Sequence, residues 1–340
     1  MRKKIVSVIG ILCFIGILLI FYKNSSLEET DTTISKTGFY FDTVIKITLY
    51  DTDNETYLDE CFALAEKYEN LLSTTITESD VSKINVSGGT PVVVSDETRE
   101  LIEYGIYYGN LSSGNFDITV GKLSSLWDFS DNLGTVPDAD AIASAVSTIG
   151  YQDINLTDNT VTLCNPDASI DLGGIAKGFI ADKMKAYLNE NGVTSGIINL
   201  GGNVLTLGEK EDGSDYIIGI QEPFSDTGTA LATVSVKDAT VVSSGVYERY
   251  FKKDGKLYHH ILNPKTGYPY ENDLTGVTII CEHSVDGDGL STTCFSLGLT
   301  DGMKLIESLP NTEAIFITSD GELHTSSGIG TTIPFELLTE

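Results

Sequence analysis

Residues 171–182 read Asp-Leu-Gly-Gly-Ile-Ala-Lys-Gly-Phe-Ile-Ala-Asp, or DLGGIAKGFIAD. Three glycines and Lys177 in an otherwise apolar run match the composition of a phosphate cradle, where a free backbone brings N–H groups to an anion at a helix N-terminus. Two standard templates nevertheless fail. A Walker A loop needs Ser or Thr after its Gly-Lys pair, and Lys177 is followed by Gly178 and Phe179. A dinucleotide fingerprint needs Gly-x-Gly, and Gly173 and Gly174 are adjacent. On this segment alone, close helix packing explains the glycines equally well.

The flanking segments settle the fold class. Downstream, Ile175, Phe179, Ile180, Met184 and Leu188 recur at helical spacing up to about residue 189, with Asn191-Gly192 as the stop. Further helices are predicted over 55–72, 96–112 (capped by Ser95 or Asp96), 137–149, 289–299 and 301–308. Alternating or β-branched runs predict strands over 39–50, 153–156, 160–164, 168–171, 195–200, 203–208, 216–221, 230–236, 239–243, 257–262 and 275–281, with a hairpin over 313–324. Residues 80–85 read as a short connection. Helices and strands in mixed order, with hairpin-like neighbours late in the chain, predict an α+β fold of mixed, largely antiparallel sheets flanked by helices. Residues 37–340 are long enough for one such domain.

The chain opens with Met1-Arg2-Lys3-Lys4 and then runs apolar from Ile5 to Tyr22. A basic start followed by a membrane-length apolar segment predicts an N-terminal anchor over 1–23, with residues 24–36 as a polar tether. No small-x-small cleavage site follows, and Leu12 before Cys13 is a poor match to a lipoprotein site. The basic N-terminal side places the rest of the chain outside the cytoplasmic membrane. A formal charge of −28, from 21 Lys and Arg against 49 Asp and Glu, argues against nucleic acid as a partner. Cys61, Cys164, Cys281 and Cys294 are too scattered for a zinc framework and too few for a disulfide scaffold.

Two further stretches carry chemistry. In Asp288-Gly-Leu-Ser291-Thr292, a carboxylate and two hydroxyls fall at i, i+3 and i+4, on one face of a first helical turn. Three oxygen donors so placed suit a hard cation such as Mg²⁺, and an ordinary N-cap at Asp288 is the competing reading. An EF-hand loop beginning at Asp286 fails, because Leu290 and Leu297 stand at ligand positions. In His259-His260-Ile-Leu-Asn263-Pro264-Lys265-Thr266-Gly267, a strand runs into a strong turn signal. Adjacent strand residues face opposite ways, so at most one of the two histidines belongs to a site, and decoration of a hairpin is the alternative.

In this order the segments resemble the ApbE family, the FAD:protein FMN transferases or flavin-trafficking proteins. The resemblance runs from Phe41-Asp42-Thr43 through Val81-Ser82-Lys83-Ile84-Asn85 to Gly114-Asn115-Phe116-Asp117-Ile118-Thr119-Val120-Gly121 and Leu126-Trp127-Asp128-Phe129. It continues through DLGGIAKGFIAD, Asn199-Leu200-Gly201-Gly202-Asn203, HHILNPKTGYP and DGLSTTCFSLG. It implies an enzyme that cleaves the pyrophosphate of FAD, moves the FMN moiety onto a Thr or Ser hydroxyl of a partner flavoprotein and releases AMP. It further implies that Asp288, Ser291, Thr292 and the Gly174 carbonyl hold Mg²⁺. Asp171 and Lys177 would contact FAD, and Phe41, Asn85, Phe116, Asp117 and Ile118 would line its pocket. His260 would stand by the reacting phosphate and take the proton of the acceptor hydroxyl. An FAD pyrophosphatase and a non-catalytic FAD carrier are the alternative readings. Phe41-Asp42 replaces the Met-Gly frequent in the family, and Asn263 replaces its more usual Asp.

Overall fold

The computed structural model describes residues 32–129 and 134–338. The expected anchor, and the tether up to residue 31, lie outside the described residues. Among the described residues no helix is long and apolar enough to cross a membrane.

In chain order the first elements are β1 (Ile34–Tyr40), β2 (Thr43–Leu49), α1 (Thr56–Leu72), α2 (Asp80–Asn85), β3 (Val92–Val93), α3 (Asp96–Leu111), α4 (Gly121–Ser124) and α5 (Ala139–Val146). A second group comprises β4 (Ile154–Thr157), β5 (Thr160–Leu163), α6 (Gly173–Glu190), β6 (Gly196–Leu200), β7 (Asn203–Leu207), β8 (Tyr216–Gln221), β9 (Ala230–Val236) and β10 (Thr240–Gly245). The last are β11 (Tyr250–Lys253), β12 (Lys256–His259), β13 (Leu274–Cys281), α7 (Ser284–Ile306), β14 (Glu313–Thr318), β15 (Leu323–Thr325) and β16 (Phe335–Leu337).

Eight strands form one sheet in the order β1-β2-β6-β7-β10-β13-β14-β15, and every neighbouring pair is antiparallel. Strand alternation gives this sheet two apolar faces. Ile279 and Phe316 point to the face covered by α1, α6 and α7, while Ile280, Ile315 and Ile317 point to the face covered by β8 and β9. The α+β class expected from the sequence is therefore the one observed. Helix α6 is buried on several sides, through Ile175, Ala176, Phe179, Ile180, Met184 and Leu188. A helix apolar around most of its girth belongs in an interior, and α6 touches α1, α3, α7, β6 and β7.

Several boundaries differ from expectation for identifiable reasons. The predicted strand over 39–50 is a hairpin, because Phe41 and Asp42 both take left-handed φ of 54° and 55° and turn the chain between β1 and β2. Such paired positive φ values make the tight turn of a two-residue hairpin, normally signalled by Asn or Gly. Residues 34–36 of the expected tether belong to β1. Residues 80–85 are helical, with the Ser79 side chain accepting from the Ser82 N–H at 2.9 Å. Residues 168–171 form no strand, and α7 starts at Ser284 rather than 289. The break expected near residue 300 falls at Gly298, whose φ of 76° interrupts α7.

Candidate functional site

The site is built where α6 crosses the start of α7. A Cβ placed on Gly178 would lie 2.1 Å from the Ser284 carbonyl oxygen, so the two backbones touch at a point open only to glycine. Asp182, the last residue of DLGGIAKGFIAD, then accepts from the N–H groups of Ser284 and Val285 at 2.8 and 2.9 Å. It caps α7 from the neighbouring helix, at the end where the helix dipole favours a negative charge. Burial pushes the Asp182 carboxyl up to about 6 against the pull of those two bonds.

One turn into α7, Asp288 is buried, and its carboxylate reaches back to α6. Its Oδ2 accepts from the Gly178 N–H at 2.6 Å, and its Oδ1 from the Asn203 Nδ2 at 2.9 Å. Asp288 therefore caps nothing in its own helix, which excludes the N-cap reading. Burial raises its pKa, and Lys177 is the first of the groups that pull it down. Asn203, at the start of β7, is itself fixed by a 2.7 Å bond from the Ser284 hydroxyl. Asp182, Asn203 and Ser284 were not singled out as site residues in the sequence, because their partners lie 81 to 103 residues away.

His260 follows β12 directly, and its N–H donates to the Arg249 carbonyl at 3.1 Å. Its ring Nδ1 is buried without a hydrogen-bond partner among the described residues. Burial, helped by the nearby Arg249 guanidinium, lowers its pKa to about 3, so the ring is neutral. His259 faces the other way, as alternation requires. Its Nε2 meets the Tyr270 carbonyl at 3.0 Å and its Nδ1 accepts from the Ile261 N–H at 3.3 Å, which makes it a packing histidine. Lys177 acts electrostatically on Asp288, His260 and Glu248, and thus stands among them.

The hydroxyls of the α7 stretch divide. Ser291 is buried, donates to the Asp288 carbonyl at 3.0 Å and shares a 2.8 Å hydrogen bond with Ser244. Thr292 is more open, with only a 3.4 Å contact to Ser244. The remaining expected residues lie around the start of α6. Asn85 pairs both its amide atoms with the Ile170 backbone, at 2.9 and 2.7 Å, and thereby holds the strand-like lead-in to Asp171. Asp171 accepts from the Gly173 N–H at 2.9 Å and from the Ser124 hydroxyl at 2.8 Å. Phe116 lies against Gly174, where a Cβ would come within 3.2 Å of its ring.

Asp117 and Ile118 face inward. The Asp117 carboxylate accepts from the Thr119 N–H, the Thr119 hydroxyl and the Tyr151 N–H at 2.8, 2.6 and 3.0 Å. Ile118 fills the space beside Gly105. Phe41 packs onto the core at the β1–β2 turn, its N–H donating to Glu69 at 2.8 Å.

This arrangement supplies hard oxygen donors on both sides of the crossing. Each carboxylate oxygen of Asp288 carries one hydrogen bond and keeps a lone pair. The Gly178 N–H, one turn after Gly174, reaches Asp288, and the Gly174 carbonyl, with two lone pairs, lies in the first turn of α6. Asp288, the Gly174 carbonyl and the Thr292 hydroxyl thus fit a divalent cation by donor chemistry, whereas Ser291, the fourth ligand expected, is engaged with the Asp288 carbonyl and Ser244.

Comparison with known proteins bears on the family and the fold. A sequence model of the ApbE family matches residues 41–316. An "FAD:protein FMN transferase" of Klebsiella pneumoniae is 38% identical over 286 residues, covering 83% of this chain and 88% of the relative. Another of that name from Treponema pallidum is 34% identical, covering 80% of each. A crystal structure of the ApbE protein of Thermotoga maritima superposes with a TM-score of 0.80 at 30% identity, covering 87% of this chain and 97% of that one. With the α6–α7 crossing, the ordered motifs and the inner strands β2, β6, β7, β10 and β13 of the sheet falling inside the matched span, the chain belongs to the ApbE family.

Proposed function

We propose that this protein is an FAD:protein FMN transferase that works outside the cytoplasmic membrane, held there by its N-terminal segment. It would transfer the FMN moiety of FAD to a Thr or Ser hydroxyl of a partner flavoprotein and release AMP. The observation that carries this reading is the buried Asp288 carboxylate held by the Gly178 N–H and Asn203 at the α6–α7 crossing, with Lys177 acting on both it and the neutral His260, inside a chain whose relatives bear that activity as their name.

The chemistry follows from the groups present. The acceptor oxygen attacks the phosphorus on the FMN side of the pyrophosphate. The bond from that phosphorus to the bridging oxygen breaks, and its electron pair leaves with AMP. Lys177 supplies a cation at the pyrophosphate. Neutral His260 takes the proton of the attacking hydroxyl. Asp288, Thr292 and the Gly174 carbonyl would hold Mg²⁺, which when bound neutralises charge on the phosphoryl oxygens. Buried Asn203 and the Gly178 N–H keep the Asp288 carboxylate fixed for that task.

The test incubates the full chain, in non-ionic detergent, with FAD, Mg²⁺ and an acceptor flavoprotein. Covalent flavin on the acceptor together with an equal amount of AMP is the expected result. Free FMN and AMP without an adduct would make the protein a pyrophosphatase, and bound but intact FAD would make it a carrier. Membrane fractionation checks the location, with the expected result that the chain stays in the membrane pellet after a high-salt wash.

A further inference from the structure

The hairpin of β11 and β12 stands out electrostatically. Residues 249–256 read RYFKKDGK, so Arg249, Lys252, Lys253 and Lys256 place four of the chain's 21 cationic residues in eight positions, against one acid, Asp254. The hairpin is a separate two-stranded sheet, turned at Asp254-Gly255, with Lys253 opposite Lys256 in the register. Like charges directly opposite each other on a pair of strands are destabilising, and they persist where something else needs them. Lys256 is paired with Glu271, whereas Arg249, Lys252 and Lys253 are exposed and have no carboxylate within ion-pair distance among the described residues.

An aromatic ledge stands beside these cations. Phe224, in the β8–β9 loop, is 46% exposed and holds a left-handed φ of 64°, a conformation costly for a bulky residue. Tyr250 supports it edge-on at 5.4 Å and Tyr247 at 6.2 Å, and the Lys252 ammonium lies 5.8 Å from its ring centroid. Exposed aromatic rings are enriched at interface centres, and the lysines around them suit its polar, charged rim. The patch also runs straight into the site, since the Arg249 carbonyl accepts the His260 N–H.

We infer that this hairpin and the Phe224 ledge form the docking surface for the acceptor polypeptide, and that they recognise an acidic segment flanking its target hydroxyl. The inference rests on the transferase reading above. Its physical basis is contrast: a molecule of net charge −28 repels an acidic segment over most of its surface, whereas this hairpin gathers exposed cations on the strand pair that leads into His260.

The experiment measures binding without turnover. The full chain in non-ionic detergent is titrated, in the absence of FAD, into a short fluorescein-labelled peptide carrying one Thr between two Asp pairs, and into its counterpart with Asn in place of every Asp. Fluorescence anisotropy is expected to show the Asp peptide binding about tenfold tighter, with the advantage lost at about 0.3 M NaCl. The double variant K252E/K253E should lose that advantage, and Phe224→Ala should weaken both peptides. Equal binding of the two peptides, or an unchanged preference in K252E/K253E, overturns the proposal. So does binding of the wild-type chain to phosphatidylserine vesicles in place of the Asp peptide, since the cations would then serve the membrane. Circular dichroism confirms that the variants fold, and the KM for FAD should stay unchanged in K252E/K253E. Failure of the transferase reading looks different: the Asp peptide or a natural acceptor binds but never acquires flavin.

Discussion

Asp288 is the residue on which the proposed chemistry and the packing both depend. A buried carboxylate is tolerated only where its lone pairs are met, and Gly178 and Asn203 meet one on each oxygen. Asp288→Asn keeps the shape but removes the charge and sets an amide donor against one of those two donors. Turnover of FAD is expected to fall by on the order of 100-fold or more, while FAD binding persists through Lys177 and the pocket walls. AMP release and equilibrium dialysis measure the two separately. His260 yields a second expectation, this time in pH. Its pKa lies near 3, far below the ordinary value, so the ring is neutral above that and available as a base. The kcat/KM for FAD should therefore show no histidine limb near pH 6.5, and the value should be flat from about pH 6.5 to 7.5. A limb centred at the ordinary histidine value would show that His260 is solvated and titrating freely. Asp288, Lys177 and His260 could be named as candidates from the sequence because the strings that hold them resemble family motifs, while local pattern alone left their roles open. Asn203 and Asp182 were not, because their roles arise only when distant segments meet.

Helices α6 and α7 form the element that holds the site, and two of its features are testable by stability alone. Gly178→Ala drives a Cβ into the Ser284 carbonyl, which can yield only by separating the two helices. The cost expected for such overpacking is about 1–3 kcal/mol, or a fall in Tm of roughly 2–10 °C for a domain of this size. Asp182 adds a pH-dependent contribution. Its folded pKa of about 6 stands above the ordinary carboxylate value, so the folded state holds the proton more tightly than the unfolded one. That contribution is fully present at low pH and is lost as pH rises through about 4 to 6. Asp182→Asn cannot titrate. The stability difference between the wild type and this variant, followed by urea unfolding, should shrink by about 2–3 kcal/mol across that window, and parallel curves would place Asp182 in solvent. Helices with a clean apolar stripe were legible in advance, as α1 and α3 show, and α6 was legible from its recurring apolar residues and its Asn191-Gly192 stop. The start of α7 was hidden because its cap comes from another helix, and the β1–β2 turn was hidden because Phe41 and Asp42 take a conformation usually left to glycine.

At the scale of the molecule, the sheet explains which parts of the fold could be anticipated. Neighbouring strands in sequence, such as β6 with β7 or β8 with β9, announce themselves by alternation and a turn. The order that closes the eight-stranded sheet joins β2 to β6 and β7 to β10 across long insertions, and no local pattern encodes that choice. Charge is the other global property, and it makes the last prediction. With 49 acids against 21 bases, the folded chain crowds like charges together, and unfolding relieves the repulsion by spreading them out. Added salt shortens the Debye length from about 10 Å at 0.1 M to about 3 Å at 1 M, and so removes repulsion chiefly from the compact state. At pH 7 the Tm should rise by several degrees, roughly, between about 0.02 and 0.5 M NaCl. Near the isoelectric point of about 4.3 the net charge vanishes, and the same salt increment should leave the Tm unchanged or lower it by screening the remaining ion pairs. Scanning calorimetry at the two pH values separates these cases. A rise in Tm of equal size at both would mean that salt acts through apolar burial, and that the charge of this chain is already neutralised by local pairing.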